Sequence, residues 1–475
     1  MGPKRFYITT TIPYVNAPPH LGFAVELIQA DVVARYQRLA GSEVVFNTGT
    51  DEHGEKIYRK AVEENETPQA YVDRWAKEFI RLKDALTISY TNFIRTTDPR
   101  HVQAAQEFWK RCTLNGDIEK KFYKIRYCIG CELEKTDSEL VQGECPLHPN
   151  LQLEEIEEEN YFFKWSRYQR PLLEFYQANP HFVFPESRFN EIKKFVAEGL
   201  HDFSASRLKK KMPWGVPVPG DEDHVMYVWF DAFVNYISTL GWPNNKENFE
   251  QFWPGYQIAG KDQVRQQAAM WQAMLMSVKL QNSKGIWIHG FVNVEGQKMS
   301  KSLGNVIDPF QIVARYGTDA LRFWCIREVN PHDDTDFSWD KFKESYNANL
   351  ANGLGNLVSR VLKMAGSAGV LAKSLEPVEF SQEYMKALDR FEVQKAADYV
   401  WGRIQKADIY VQKTEPFRMI KTDKEKAEKD IQYLLDELAL IARLLEPLLP
   451  TTSKKIIGAL KKGKSLSSPL FPRVS

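Results

Sequence analysis

The fold is decided by Phe6-Tyr7-Ile8-Thr9-Thr10-Thr11 and by the turn that follows it, Pro18-Pro19-His20-Leu21-Gly22-Phe23. The first run predicts a buried strand. Apolar residues at three- and four-residue spacing over 24–36 predict a helix that ends near Gly41. A short second strand is expected over 44–47, and the α/β pattern is expected to resume with the apolar run 225–230 and to continue through a helix over 264–278 and a strand over 285–289. Strands that alternate with helices predict a parallel sheet with its ligand at the carboxyl ends of the strands.

Two polar runs, which we call the two nucleotide signatures, carry the candidate chemistry. A His beside a small Gly at a strand-to-helix turn, as in His20 and Gly22, lets a phosphate approach the helix N-terminus. The run Lys298-Met299-Ser300-Lys301-Ser302 places two ammonium groups in a loop, where they suit a triphosphate whose charge shifts during a reaction. Either run alone also fits a capping turn or a solvated loop. Together they favour a nucleotide site that joins both.

Cysteine spacing predicts a metal site. Cys128 and Cys131 form one two-residue knuckle, and Cys145 and His148 form a second. Two such knuckles supply the closed ligand shell of one tetrahedral ion, which predicts structural zinc. The alternative is one buried Cys pair with an unrelated surface His. A metal site in a reducing compartment fits this clustering better than a disulfide framework.

Bulk composition limits the remaining choices. A chain of 475 residues is expected to hold two to four domains. Lysine plus arginine (63) nearly balances aspartate plus glutamate (62), so nucleic acid must be bound through a local patch. The sequence contains no long apolar run and no signal-peptide pattern, so we expect a cytoplasmic protein without membrane contact. Cys112 and Cys325 are expected to be core or surface thiols.

Longer strings resemble the methionyl-tRNA synthetase family of class I aminoacyl-tRNA synthetases. They are Thr11-Ile12-Pro13-Tyr14-Val15-Asn16 before His20, Gly49-Thr50-Asp51-Glu52-His53-Gly54, Tyr227-Val228-Trp229-Phe230-Asp231-Ala232, Gly260-Lys261-Asp262 and Lys298-Met299-Ser300-Lys301-Ser302-Leu303-Gly304-Asn305. The resemblance runs from about residue 5 to 475. It implies an α/β, Rossmann-like class I catalytic domain with a zinc-bearing connective insertion, followed by an all-α anticodon-binding bundle.

Domain boundaries follow from this resemblance and from changes in sequence texture. We expect a catalytic domain over 1–115 and 223–290, a connective insertion with the zinc knuckle over 116–222, a linking module with the lysine loop over 291–345, and a helical anticodon-binding domain over 346–475. Long amphipathic helices are expected over 381–413 and 423–447, and the C-terminal end is expected to be a surface tail.

The resemblance also implies residue roles. Methionine is expected to contact Ile12, Tyr14, Asp51, Trp229, Phe233, Tyr236, Gln267 and Trp271. ATP with Mg²⁺ is expected at His20, Gly22, Phe23, Gly260, Asp262, His289, Val292, Lys298 and Lys301, of which His20 and the two lysines are catalytic. The anticodon is expected at Asn356, Arg360 and Phe417. Sulfur packs well against aromatic edges, which agrees with an aromatic methionine pocket, although such aromatics can also be simple core.

Three positions depart from the pattern of that family. The first signature usually ends in a second His, and Phe23 stands there instead. Gln267 occupies a position where His is frequent; it can donate a hydrogen bond to a sulfur or a Tyr hydroxyl, but it cannot carry charge. Phe417 replaces the usual Trp and can still stack on a splayed-out base.

The expected activity is that of a methionine–tRNA ligase. Methionine carboxylate attacks the α-phosphorus of ATP, and the methionyl group then passes to the 3′ end of initiator and elongator tRNA(Met). We expect a monomer. The alternatives are a class I synthetase for another apolar amino acid and a non-catalytic tRNA-binding paralogue, which ATP–pyrophosphate exchange with each amino acid in turn would distinguish.

Overall fold

The computed structural model describes residues 4–131, 133–135, 139–299, 304–331, 333–373 and 380–474. In chain order the first elements are β1 (Arg5–Thr10), α1 (Leu21–Leu39), β2 (Glu43–Thr50), α2 (Glu55–Glu63), α3 (Pro68–Ala85), β3 (Asn92–Arg95), α4 (Pro99–Leu114), β4 (Ile118–Cys128), β5 (Leu133–Lys135), β6 (Glu154–Phe163), α5 (Gln169–Ala178), β7 (Val183–Phe184), α6 (Glu186–Glu198), β8 (Phe203–Ser204), β9 (Ser206–Leu208) and β10 (His224–Met226). They are followed by α7 (Val228–Phe233), α8 (Asn235–Ser238), α9 (Lys246–Phe252), β11 (Tyr256–Gly260), α10 (Trp271–Ser277), β12 (Gly285–His289), β13 (Val292–Val294), β14 (Gln297–Lys298), α11 (Pro309–Tyr316), α12 (Thr318–Phe323), β15 (Thr335–Phe337), α13 (Trp339–Ser345), α14 (Asn356–Ala368), α15 (Gln382–Asp389), α16 (Val393–Thr414), α17 (Pro416–Met419), α18 (Lys424–Leu444) and α19 (Pro450–Lys462). Wider π-helical turns span Gln266–Met270, Trp324–Glu328 and Tyr346–Gly355.

The described chain forms two compact units. Unit 1 comprises residues 4–18, 43–81 and 90–288, and unit 2 comprises residues 19–42, 82–89 and 289–474. Among the described residues, none of the helices combines the length and the apolar character that a membrane span requires.

The main sheet of unit 1 confirms the predicted parallel arrangement. Its strand order is β3-β2-β1-β11-β12-β7, and the pairs β3–β2, β2–β1, β1–β11 and β12–β7 are parallel. The chain moves outward from β1 to β3 in one direction and from β11 to β12 in the other. The strand order therefore reverses between β1 and β11, and an α/β sheet binds ligands outside the strand ends at such a switch point.

Segments from the predicted insertion contribute to this same core. β7 adds an edge strand to the main sheet, while β5, β4, β6 and β8 form a separate antiparallel sheet. Trp165, Tyr176 and Phe189 are buried in one hydrophobic cluster with Phe108 and Trp271. The aromatic side chains of the predicted insertion therefore pack in the hydrophobic core of unit 1.

The predicted apolar run that begins at Val225 divides into two elements. β10 pairs antiparallel with β9, outside the main sheet, and α7 then begins at Val228. The helix predicted over 264–278 is also composite, because a π-helical turn over Gln266–Met270 precedes α10. The wider backbone of such a turn changes the direction of the side chains that it carries.

Unit 2 holds the C-terminal helices. The predicted helix over 381–413 is two helices, α15 and α16, because the chain turns at Phe391 with a φ of 61°. The predicted surface tail is exposed over most of residues 464–470, but the residues that follow are anchored within unit 2. Phe471 is buried, and Asn347 exchanges hydrogen bonds with the backbone of Val474 (2.8 and 3.0 Å).

The C-terminal half of α1 is held by an ionic cluster within unit 2, which we call the arginine cluster and define as Asp31, Arg35 and Arg322. Asp31 and Arg322 are fully buried, and Nη1 of Arg322 lies 2.8 Å from Oδ2 of Asp31. Nε of Arg35 donates to the same oxygen over 2.7 Å. Arg322 also donates to the carbonyl groups of Leu86, Pro447 and Leu448 (2.9 to 3.2 Å). The cluster joins four segments that are distant in sequence.

Candidate functional site

The predicted crevice of unit 1 lies where three neighbouring strands end. Tyr14 follows β1, Asp51 follows β2, and Asp262 follows β11, whose last residue is Gly260. Tyr14 and Asp51 form a parallel bridge, in which the Asp51 amide donates to the carbonyl of Pro13 (2.9 Å). The strand order therefore brings these predicted site residues to the carboxyl edge of one sheet.

The position of Asp51 is fixed by the two residues that follow it. Glu52 is fully buried, and its two carboxylate oxygens accept hydrogen bonds from Arg95 (2.6 and 2.9 Å). His53 is buried, and its Nδ1 lies 3.0 Å from Oδ2 of Asp231. A bidentate arginine contact gives both strength and fixed geometry. Asp51 is thus anchored at the crevice by its own neighbours.

Asp231 is the centre of a buried network in this region. Its Oδ1 lies 3.3 Å from Nε2 of His101, whose Nδ1 lies 3.0 Å from Oγ of Ser238. Burial raises the pKa of Asp231, but the nearby imidazoles of His53 and His101 outweigh burial and hold the pKa below its ordinary value. The buried carboxylate is therefore ionised at neutral pH and joins α4 and α7 to the segment after β2.

Four aromatic residues of the predicted methionine pocket are packed together. The ring of Phe233 lies 5.7 Å from that of Trp229 and 5.9 Å from that of Trp271, and Tyr236 meets Trp271 edge-on at 5.9 Å. Trp271 is fully buried, whereas Trp229 and Ile12 are partly exposed. Offset and edge-to-face rings make an apolar wall with defined geometry.

Gln267 reaches this wall from the π-helical turn. Its Nε2 donates to the Tyr236 hydroxyl over 2.6 Å, and its Oε1 accepts from Nε2 of Gln257 over 2.8 Å. All three side chains are buried. We call Gln257, Gln267 and Tyr236 the amide relay.

The predicted metal knuckles meet within unit 1. The ligand atoms of Cys128, Cys131, Cys145 and His148 all lie within 4.8 Å of one another, and Nδ1 of His148 is 3.3 to 3.9 Å from the three sulfurs. Gly130 allows this approach, because a Cβ there would lie only 2.4 Å from the His148 ring. Tetrahedral zinc with thiolate ligands separates neighbouring donors by roughly 3.8 Å, so the donor set fits zinc.

The two nucleotide signatures are neighbours within unit 2. His20 caps α1, and its Nδ1 accepts from the amide of Gly22 (3.1 Å). A Cβ placed on Gly22 would lie 3.5 Å from Cε of Met299, and the amide of Leu21 donates to the carbonyl of Ile307 (2.9 Å). The turn at the start of α1 therefore touches the segment that carries the predicted lysine loop.

The lysine loop leaves a short hairpin formed by β13 and β14. Lys298 is exposed at the end of β14, with its Nζ 4.5 Å from the centre of the Phe291 ring. Asn305 donates to the carbonyl of Lys298 (3.2 Å) and so holds the base of the loop. Ser300, Lys301 and Ser302 lie outside the described residues.

The other predicted ATP residues of unit 2 differ in exposure. Phe23 and Val292 are buried, whereas His20 is exposed. His289 is buried, with Nε2 3.0 Å from Oε2 of Glu26 and Nδ1 2.8 Å from the carbonyl of Gly290. The phenyl ring at position 23 therefore serves packing, where a His would offer polar atoms.

Two of the predicted anticodon residues, Asn356 and Arg360, lie on α14, and the third, Phe417, lies on α17. Asn356 and Arg360 are one helical turn apart, which places them on one face. Arg360 donates to Oδ1 of Asp408 on α16 (2.7 Å). Phe417 on α17 is 45% exposed, so its ring is accessible for stacking.

Sequence reasoning missed several polar residues beside these sites. His53 and Asp231 lie inside two of the strings quoted above, each two residues from a predicted pocket residue, so their positions offered a signal. Gln257, His101 and Asp408 offered none, because each lies outside the quoted strings and reaches its site only through the fold.

Comparison with known proteins agrees with this architecture. The family model "tRNA synthetases class I (M)" matches residues 6–155 and 150–362, and the "Anticodon binding domain of methionyl tRNA ligase" matches residues 369–469. Methionine–tRNA ligase of Synechocystis is 40% identical over 95% of this chain and 88% of its own length. The chloroplastic/mitochondrial methionine–tRNA ligase of Arabidopsis thaliana is 39% identical over 96% of this chain and 77% of its own length.

Solved structures give the same result. Mycobacterium tuberculosis methionyl-tRNA synthetase in complex with methionyl-adenylate superposes with a TM-score of 0.89 at 35% identity, covering 96% of this chain and 93% of that one. The fold is that of a class I aminoacyl-tRNA synthetase. Within that class, the chain belongs to the methionyl-tRNA synthetase family. It is an aminoacyl-tRNA ligase that activates methionine with ATP and charges tRNA.

Proposed function

We propose that the crevice of unit 1 selects methionine through its side chain and its ammonium group. The aromatic wall made by Trp229, Phe233, Tyr236 and Trp271, with Gln267 on the Tyr236 hydroxyl, is the observation that carries this assignment. Aromatic edges and a polarizable thioether attract each other. Asp51 pairs with the α-ammonium group, and Ile12 and Tyr14 complete the pocket.

The nucleotide contacts follow the two signatures. His20, Gly22, Lys298 and Lys301 bind the phosphates, with His20 and the two lysines stabilising the charge that develops on the leaving pyrophosphate. Phe23, His289 and Val292 belong to the same binding region, while Gly260 and Asp262 at the end of β11 hold the ribose. The attacking carboxylate is already a nucleophile, so no general base is required. Magnesium accompanies ATP.

Structural zinc is held by Cys128, Cys131, Cys145 and His148. The spacing of the four donor atoms supports this metal, because three thiolates and one imidazole make a closed tetrahedral shell. When bound, zinc fixes the fold of the knuckles and leaves no position open for catalysis.

On unit 2, Asn356, Arg360 and Phe417 read the anticodon of initiator and elongator tRNA(Met). The exposed Phe417 ring and the shared face of Asn356 and Arg360 support this role. We further propose the domain division 1–115 with 223–290, 116–222, 291–345 and 346–475, and a monomer that works in the cytoplasm. The five free cysteines support a reducing compartment.

ATP–pyrophosphate exchange tests the proposed activity. Exchange driven by methionine alone is expected. Exchange with another apolar amino acid would favour a different class I synthetase, and no exchange would favour a tRNA-binding paralogue. Lys301→Ala should cut adenylate formation by orders of magnitude while methionine binding stays nearly unchanged. A large loss of methionine affinity in that variant would contradict the role of the lysine.

Metal analysis of Cys145→Ser tests the zinc site. Zinc content should fall, and the knuckles should become sensitive to protease, while the helices of unit 2 keep their circular dichroism. Cys112→Ser is the matched control, because Cys112 is a buried thiol that is not among the four donors. Full zinc occupancy in Cys145→Ser would remove Cys145 from the shell.

A further inference from the structure

Gln257 is the one member of the amide relay that neither the motifs nor the proposed pocket includes. It lies on β11 opposite Thr9 of β1, so its side chain shares a sheet face with that of Thr9. The side chains of Gln257 and Gln267 are each only 1% exposed. Burying two primary amides away from water is unfavourable unless their polar atoms are paired. Because this cost is not needed for packing, the buried pair indicates a functional role.

The pairing fixes which way the Gln267 amide faces. Gln257 donates an N–H to Oε1 of Gln267, so Nε2 of Gln267 is left to donate to the Tyr236 hydroxyl. The remaining atom of Gln257, its Oε1, is buried without a hydrogen-bond partner among the described residues. Turning both amides over would bury an unpaired NH₂ group in its place, and orphaned buried N–H groups are rarer than under-satisfied carbonyl groups. The direction in which Gln257 donates to Gln267 is therefore the stable one.

The rest of the pocket keeps this direction in place. The Tyr7 hydroxyl donates to the main-chain carbonyl of Tyr236 (2.8 Å) and ties α8 to β1. Gln272 donates to the main-chain carbonyl of Gln267 (2.8 Å) within the widened helical turn. The backbones of Tyr236 and Gln267 are thus both held in place, and what Gln257 determines is the rotation of the Gln267 amide.

We propose that Gln257 is a positioning residue for methionine selection: it holds the Gln267 amide with its nitrogen toward the substrate side chain. A primary amide nitrogen carries two N–H groups. Tyr236 accepts one, and the second is the donor offered to the thioether sulfur. A thioether is a weak acceptor, whereas a methylene group in the same place accepts nothing. The oriented nitrogen therefore favours methionine over an isosteric hydrocarbon chain. This inference rests on the proposed methionine pocket.

The test compares methionine with norleucine, which has a methylene in place of the sulfur. We expect Gln257→Met to lower kcat/KM for methionine in ATP–pyrophosphate exchange by about tenfold, and that for norleucine by less than about twofold. The amide of Gln267 can then rotate, and its oxygen would repel the sulfur lone pairs. Gln267→Met should give the same pattern, and the double variant should be no worse than either single one, because both remove one oriented donor.

Gln266→Met is the matched control. Gln266 is a buried glutamine in the same π-helical turn, and no hydrogen bond within the described part of the chain joins its side chain to the relay. Its ratio of methionine to norleucine activation should equal that of the unmodified protein. If Gln257→Met does not fold, Gln257→Asn keeps a buried amide but is too short to reach Gln267, and it should give the same loss of ratio.

Two results would overturn the proposal: equal losses for both amino acids, or single-variant effects that multiply in the double variant. Either would reduce Gln257 to a core residue. Failure of the proposed function is a separate outcome, because it would show as absent methionine-driven exchange in the unmodified protein.

Discussion

The amide relay of unit 1 and the arginine cluster of unit 2 are both buried polar groups, but they differ in charge. The relay consists of neutral amides and a hydroxyl beside the predicted substrate pocket. The arginine cluster consists of ions and backbone carbonyl groups that join α1 to α12 and to the turn before α19. A buried charge needs an opposite charge beside it at all times. Buried ions therefore fit a permanent structural role. Neutral donors tolerate a substrate that comes and goes.

Asp231 is an ionised group on the pocket side, where it pairs with His53 and His101. Its neighbours in sequence, Trp229 and Phe233, belong to the aromatic wall, but its own carboxylate faces two imidazoles. The charged Asp231 of unit 1 thus stabilises the elements that carry the pocket, as the arginine cluster of unit 2 stabilises its helices. The comparison predicts that charged groups set stability and that neutral groups set selectivity.

The largest effect is expected in the arginine cluster. Asp31→Asn removes the anion that faces fully buried Arg322, and it should lower the free energy of unfolding by about 3–5 kcal/mol. Urea denaturation followed by circular dichroism measures this loss. Asp436→Asn is the control, since Asp436 is exposed on α18 and its replacement should change stability by less than about 0.5 kcal/mol. Equal losses in the two variants would mean that the arginine cluster contributes no more to the free energy of unfolding than an exposed carboxylate does.

A smaller loss of stability is expected for Asp231→Asn. One of the two imidazoles must then face an NH₂ group, and a mispaired buried hydrogen bond costs about 1–3 kcal/mol. The ratio of methionine to norleucine activation should stay within about twofold of that of the unmodified protein, because the relay is intact. Asp223→Asn, at an exposed position, provides the control. A collapse of the ratio without a loss of stability would reverse the division between charged and neutral groups.

Acid should weaken both charged sites together. In Asp31, burial raises the pKa, but Arg322 and Arg35 outweigh it, so the folded pKa lies below the ordinary carboxyl value, as it does for Asp231. On acidification the unfolded chain therefore takes up these protons first, which favours unfolding. The stability that these groups provide should be constant above about pH 5 and decline below about pH 4.

The denaturant midpoint measured against pH checks this expectation. The double variant Asp31→Asn with Asp231→Asn should show a shallower decline in acid than the unmodified protein. An identical decline would assign acid sensitivity to other carboxylates.

Much of the frame of unit 1 was predictable from sequence. The strand predicted over Gly285–His289 is confirmed as β12, because a continuous apolar run in an α/β pattern has one stable place in a parallel sheet. The same alternation predicts a ligand crevice at the carboxyl ends of the strands, but the strand order, with its switch point between β1 and β11, comes only from the structure. The predicted convergence of the cysteine knuckles is confirmed, since two-residue spacing restricts where the side chains can point.

Other features depend on contacts that no local pattern encodes. The π-helical turn that carries Gln267 has ordinary helix-forming residues, so nothing in the sequence indicates a wider backbone. Nothing in the sequence marks Asp31 and Arg322 as partners, because their pairing appears only when distant segments meet. No motif includes Gln257, so its contact with Gln267 appears only in the folded chain.

The smallest effect on stability is expected in the relay itself. Tyr236→Phe removes a hydroxyl that accepts from Gln267, and the loss of one neutral hydrogen bond costs about 1 kcal/mol. Tyr176→Phe is a matched control, because the Tyr176 hydroxyl is also buried and donates to the carbonyl of Ala268 in the same π-helical turn (2.7 Å). Both variants should lose similar stability in urea denaturation.

Only Tyr236→Phe should also change the choice of substrate. Without its hydroxyl acceptor, the Gln267 amide loses one of the two contacts that orient it, and the ratio of methionine to norleucine activation should fall by about three- to tenfold. If Tyr176→Phe lowers the ratio as much, selectivity depends on general packing of the turn. If neither variant lowers the ratio, the amide relay has only a structural role, as the arginine cluster has. The two clusters would then differ in charge but not in function.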